Sequence, residues 1–293
     1  MAKKNYFVAL ICALGLFTIS CNDNDDAPTT ADLTLNLTGL DELGDDFVYE
    51  GWLIVNGSPV STGVFSSITF PQSFSVAIND LELATKFVLS IEPAVDTDPK
   101  PAATKILVGD FSGNTANVST GIVGDFSNST GAYILATPTD GPMTNENSGI
   151  WFLDLTSGPP VAGLELPELS DGWKYEGWVV IDGKPVTTGT FTNVSATDDD
   201  DPYSGPMMLP APNGPNGFFP GEDFLVDAPD GLSFPTNIAG GTAVISVEPY
   251  PDNNPLPFTL KPLVGGIPAN ALDHTLYTMN QNLGSLPGGL VTR

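Results

Sequence analysis

The side chains with chemical potential in this 293-residue chain are carboxylates set close to tryptophans. Glu50 stands two residues before Trp52, and Glu176 two residues before Trp178. On an extended strand, residues i and i+2 share a face, so each carboxylate lies beside an indole. An exposed pair of this kind suits a sugar ring or a cationic partner. The alternative is structural: Trp52 and Trp178 cover a sheet edge or a junction, and the glutamates are solvated. These four residues form the candidate binding face. They make a poor general acid/base pair, because the glutamates are 126 residues apart (176 − 50) and belong to separate units.

Other polar residues carry less. Glu92-Pro93 and Glu248-Pro249 read as strand ends, since proline interrupts the hydrogen-bond ladder. His274 is the only histidine, which excludes a multi-histidine metal centre, and no Gly-x-Ser-x-Gly elbow accompanies it. The run Asp198–Asp201 lacks the alternating spacing that wraps calcium and reads as a solvated loop, with weak calcium binding as the alternative. There is no glycine-rich phosphate loop or dinucleotide fingerprint. The expectation is no catalytic residue, no metal and no cofactor.

The elements that position these residues come in two copies. Tyr49-Glu50-Gly51-Trp52 returns as Tyr175-Glu176-Gly177-Trp178, and Gly57-Ser58-Pro59-Val60 as Gly183-Lys184-Pro185-Val186. Further on, Ser90-Ile91-Glu92-Pro93 is answered by Ser246-Val247-Glu248-Pro249 at an offset of 156 (246 − 90), so the second copy holds 30 additional residues (156 − 126). These fall across residues 198–221. In Trp173–Asp182, period-two alternation puts Trp173, Tyr175, Gly177, Val179 and Ile181 on the core face. The other face carries Lys174, Glu176, Trp178, Val180 and Asp182. The corresponding face of the first copy is less polar, which predicts that it is the partly covered one. Asn56-Gly57 and Asp182-Gly183 are type I′ hairpin pairs, and Pro59 and Pro185 send their return strands to a sheet edge or a bulge.

With 31 glycines, 27 prolines and 41% apolar residues, the chain is all-β rather than helical or disordered. Short strands between frequent turns predict two tandem β-sandwich units of immunoglobulin-like size. The polar stretch 140–148 sets the division: unit one spans 32–142 and unit two 143–293. Strands are expected at 33–37, 73–78, 87–92, 106–111 and 132–136 in unit one. In unit two they are expected at 150–155, 190–194, 243–248, 259–264 and 274–279.

Residues 1–20 read as a lipoprotein signal peptide: Lys3 and Lys4, an apolar run from Tyr6 to Ile19, then Ser20 before Cys21. The run is short for a membrane span. Cys12 lies inside it, so Cys21 is the one thiol left after cleavage and is expected to carry the lipid. Residues 21–31 form an acidic tether. Without Lys3 and Lys4 the net charge passes from −26 to −28, which argues against any nucleic-acid partner.

In this order, an aromatic before Trp, a Gly-x-Pro-Val turn, Gly63-Val64-Phe65 and a strand ending in Glu-Pro resemble the extracytoplasmic C-terminal domain of the anti-sigma-K factor family. The resemblance covers most of 32–111 and 173–265. It implies a β-sandwich and a sensor-like outer domain. Members of that family also have a cytoplasmic sigma-binding domain and a transmembrane helix. A signal peptide at residue 1 leads us to expect neither here. The expected function is a non-enzymatic, lipid-anchored envelope protein, in the outer membrane, that binds an envelope protein or glycan and relays through a membrane partner. The alternatives are a surface glycan-binding or carbohydrate-active lipoprotein, and a structural or adhesive surface repeat.

Overall fold

The computed structural model describes residues 28–141, 143–206, 219–251 and 254–293. The expected signal peptide (1–20), Cys21 and most of the expected tether lie outside the described residues, as do Met207, Met208 and Phe218 in the expected insertion. The described chain is almost wholly β, in two large antiparallel sheets, with one short α-helix, α1 (Ile78–Leu83).

The first strands are β1 (Thr30–Thr38), β2 (Phe47–Val55), β3 (Ser58–Phe65), β4 (Gln72–Ala77), β5 (Ala84–Pro93), β6 (Lys105–Ser112) and β7 (Thr115–Ser119). Next come β8 (Thr130–Leu135), β9 (Gly149–Trp151), β10 (Leu153–Asp154), β11 (Val161–Ala162) and β12 (Leu164–Glu165). The rest are β13 (Trp173–Ile181), β14 (Lys184–Phe191), β15 (Gly221–Asp223), β16 (Thr242–Pro249), β17 (Leu263–Gly266), β18 (Tyr277–Gln281) and β19 (Gly288–Thr292).

Sheet one runs β3-β2-β5-β6-β7-β19-β1-β4, and sheet two β14-β13-β16-β17-β18-β8-β9-β15, with β12 also pairing β8. The two orders correspond strand for strand: β13, β14, β16, β17 and β18 take the places of β2, β3, β5, β6 and β7. The strand that closes each sheet, however, follows the last strand of the other repeat. β8 comes after β7 in sequence but pairs with β18 and β9, in the registers Tyr133↔Tyr277 and Ile134↔Trp151. β19 comes after β18 but lies between β7 and β1, with Val291 opposite both Ala116 and Leu35. Sheet membership therefore departs from the division at 142/143. Residues 132–136, expected in unit one, belong to sheet two, and residues 288–292 return to sheet one. Hereafter unit one and unit two denote the parts of the chain built on the two sheets.

The hairpins form as their turn dipeptides require. Asn56 and Gly57 have φ of 51° and 80°, and Asp182 and Gly183 have 49° and 80°. Pro59 and Pro185 lie on β3 and β14, the terminal strands of the two sheets, where a missing N–H costs no ladder bond. A bulge interrupts each hairpin at the same place, between Gly51 and Trp52 and between Glu176 and Trp178. At the far edge, the β3 ring Phe65 meets the β4 ring Phe74 at 5.7 Å between centroids, so sheet one curls almost into a barrel.

The alternation in β2 and β13 sends Tyr49, Leu53, Tyr175 and Val179 into the core. Their cross-strand partners Ile91, Phe87, Val247 and Ala243 are buried with them. Full burial of one such large side chain contributes about 1.5–3 kcal/mol, so this inner layer fixes the register of the outer one.

Candidate functional site

The outer face of β2 and β5 carries a hydrogen-bonded relay. Trp52 Nε1 donates to Ser90 Oγ at 2.8 Å, and Ser90 Oγ donates to Glu92 Oε1. The loop after Pro93 folds back so that Ala102 N also donates to Glu92 Oε1, at 2.8 Å. Unit two repeats the construction. Trp178 Nε1 donates to Ser246 Oγ at 2.8 Å, Ser246 to Glu248 Oε1, and Phe258 N to Glu248 Oε1 at 3.0 Å. Ala102 and Phe258 each stand ten residues after their glutamate, so the returning loop is part of the duplicated unit.

The strand-end reading of Glu92 and Glu248 described only part of their role. Both glutamates sit at strand ends, yet each is only 1% exposed and forms the inner end of the relay. The signal for this was the pair Ser-x-Glu at i and i+2, facing a tryptophan on the neighbouring strand in both copies. Burial pushes the Glu92 carboxyl above its ordinary range. The bonds from Ser90 and Ala102 work against that shift, and the charges of Glu50 and Asp96 add to it.

The tryptophans are the middle of this relay, not a platform. Trp52 is 3% and Trp178 2% exposed, so neither indole offers a free face to a sugar. Glu50 and Glu176 are held from the edge strands: Ser61 Oγ donates to Glu50 Oε1 and Thr187 Oγ1 to Glu176 Oε1. The covered carboxylate is in unit two, where Glu176 is buried while Glu50 is half-buried. This reverses the expectation drawn from the less polar face of the first copy.

The reason is what lies above each face. Over unit one a cleft of about 370 Å³ is open, lined among others by Val48, Glu50, Trp52, Val64, Glu92 and Asp96. Asp98 also lines it, and no lysine or arginine does. In unit two the positions of Val48, Val64 and Ala94 hold Lys174, Thr190 and Tyr250. Lys174 Nζ lies 2.7 Å from Asp199 Oδ2 and 3.9 Å above the Tyr250 ring. Asp199 N donates to Thr190 O at 2.8 Å, and Thr190 Oγ1 to Asp199 Oδ2 at 2.7 Å. Burial works against both charges, but the Lys174–Asp199 contact outweighs it, raising the lysine and lowering the aspartate from their ordinary values. The acidic run Asp198–Asp201 is thus a largely exposed loop, as expected, but one pinned along the free edge of β14 through Asp199.

A second concavity, about 460 Å³, lies in unit two beside Asn145, Glu146, Ser148, Thr236, Asn237 and Asp273. Its polar groups serve the local backbone: Glu146 accepts from Thr137 N and Met143 N, and Ser148 Oγ bonds the Thr236 carbonyl. Nearby, Glu222 and Asp223 of β15 are fully buried. Burial first of all raises Glu222 to about 8 and Asp223 to about 6, against bonds from Ser204 and Tyr203 to the former and from Thr139 and Trp151 to the latter. This pair anchors β15 and is closed to solvent. His274 is exposed beside Asp273 at 4.0 Å. Among the described residues, no group of three His, Cys, Asp or Glu side chains is placed to hold a metal ion. No helix among them is long and apolar enough to cross a membrane.

No family model matches the chain, and no curated protein or solved structure matches it either.

Proposed function

We propose that this protein is a non-enzymatic binding module of the cell envelope, anchored through a lipid on Cys21, with the open unit-one cleft as its binding site. The observation that carries the reading is the cleft itself. It is a concave, carboxylate-lined surface with an apolar rim, whose duplicate in unit two is covered by the chain's own insertion. The resemblance to the outer domain of anti-sigma-K factors supports a sensing role, in which engagement of the cleft is relayed to a membrane partner. Buried tryptophans favour this reading over the glycan-binding alternative, which needs an exposed indole face.

Two experiments test it in the full-length protein in its own cells. Labelling with radioactive palmitate is expected to mark the wild type and not Cys21→Ala; equal labelling contradicts the anchor. A photo-crosslinking residue at Val64, 57% exposed on the cleft rim, is expected to give a discrete protein adduct. A polysaccharide adduct contradicts the protein-binding reading in favour of the glycan one, and no adduct contradicts a binding role for the cleft.

A further inference from the structure

The two units present one face in two states. In unit two the face is occupied: the segment Asp198–Asp201 lies along the free edge of β14, with Asp199 N bonded to Thr190 O. It approaches so closely that a Cβ on Gly189 would stand 2.6 Å from Asp200 O. In unit one the Phe74 ring of β4 lies beside Gly63, 3.5 Å from where its Cβ would stand, but no strap reaches the main chain at Val64. Val64 pairs with Glu50 as Thr190 pairs with Glu176, so the Val64 carbonyl points outward as the Thr190 carbonyl does. Among the described residues, no donor outside the ladder reaches it.

Both faces hold two carboxylates, Glu50 and Glu92 answered by Glu176 and Glu248, and they differ in the charges added to these. Unit two sets a cation, Lys174, in the face and an anion, Asp199, on the strap. Unit one sets Glu50, Glu92, Asp96 and Asp98 in the face and replaces the lysine by Val48. We infer that the unit-one cleft docks an extended peptide segment of another protein, laid along β3, with a lysine or arginine side chain directed at Glu50 and Asp96. A main-chain bond to Val64 O would set its register, and the apolar rim of Val48, Val64 and Pro93 would take the aliphatic stem. A second copy of this chain is a poor source of such a segment. Its basic residues number nine, two of them in the signal peptide, against 35 acidic ones.

This inference rests on the binding reading above and narrows it to a peptide cation. It is tested by titrating the full-length protein in detergent micelles with fluorescent heptapeptides of alternating valine and lysine. The controls are the valine–glutamate counterpart, the lysine peptide with N-methylated backbone, and lysine amide. The lysine peptide alone is expected to bind well, and to weaken at least about tenfold in Glu50→Gln and in Val64→Lys, the latter at an exposed site the core does not use. Glu82→Gln, on exposed α1, removes the same charge elsewhere and is expected to leave affinity unchanged. Equal weakening by Glu82→Gln, or equal binding of lysine amide or of the N-methylated peptide, overturns the inference. Failure of the whole peptide series alongside a discrete protein adduct at Val64 overturns the peptide cation but leaves the binding reading standing.

Discussion

A carboxylate that is 1% exposed must be met by donors or it will not stay ionised, and the relay supplies them. Ser90 is the pivot, because its hydroxyl both accepts from Trp52 and donates to Glu92. Ser90→Ala strands the indole N–H and removes a donor from Glu92, so it is expected to cost about 1–3 kcal/mol in urea unfolding. Trp52→Phe removes only the first bond and part of the ring, and Ser246→Ala is expected to match Ser90→Ala, since the two relays share one design. The buried β15 pair gives a pH signature. Glu222 is raised from 4.5 to about 8, so the folded state holds that proton more tightly than the unfolded chain. Its contribution is full below about 4.5 and is lost as pH rises through about 8. The stability of wild type relative to Glu222→Gln is therefore expected to fall across that window, as thermal melts at a series of pH values will report. Little of this was legible beforehand: Glu before Pro reads as a strand end, because that pattern does not reveal a donor brought from a distant loop.

At the scale of elements, the hairpins were legible because their determinants are local. Asn-Gly and Asp-Gly specify their own positive φ, and the alternation in β13 names its core face without outside help. β19 was not legible. Gly288-Gly289 looks like a turn, and its pairing with β1 joins residues some 250 positions apart, as in Leu37↔Gly289. The glycines of the repeated hairpin make a test. Gly177 has no room for a methyl group: a Cβ would stand 2.1 Å from Thr188 Oγ1 and 2.8 Å from the Phe152 ring. Gly57 has open space but a φ of +80°. Gly177→Ala is expected to cost about 1–3 kcal/mol by overpacking, and Gly57→Ala about 1 kcal/mol by backbone strain alone. Chemical denaturation of the two variants measures the difference.

Across the whole molecule, the duplication yields two sheets that each depend on the other repeat for closure. Arg293 secures the exchanged strand: its guanidinium donates to the carbonyls of Leu81, Ala84 and Gly113 and lies 4.3 Å from the Phe111 ring. Removing residues 288–293 is expected to lower hydrogen-exchange protection in β1 and β7, which keep only β4 and β6 as partners, while β8 and β18 keep theirs. A synthetic 286–293 peptide is expected to restore it. The same duplication left one outer face open and strapped the other shut, so the protein should behave as a single-site binder despite its two copies. Hydrogen exchange of the full-length protein with the valine–lysine heptapeptide, read beside binding stoichiometry, tests this most directly. We predict one peptide per chain, with new protection confined to β3 and to residues 92–99. Protection along β14, a stoichiometry of two, or no change at β3 would contradict it.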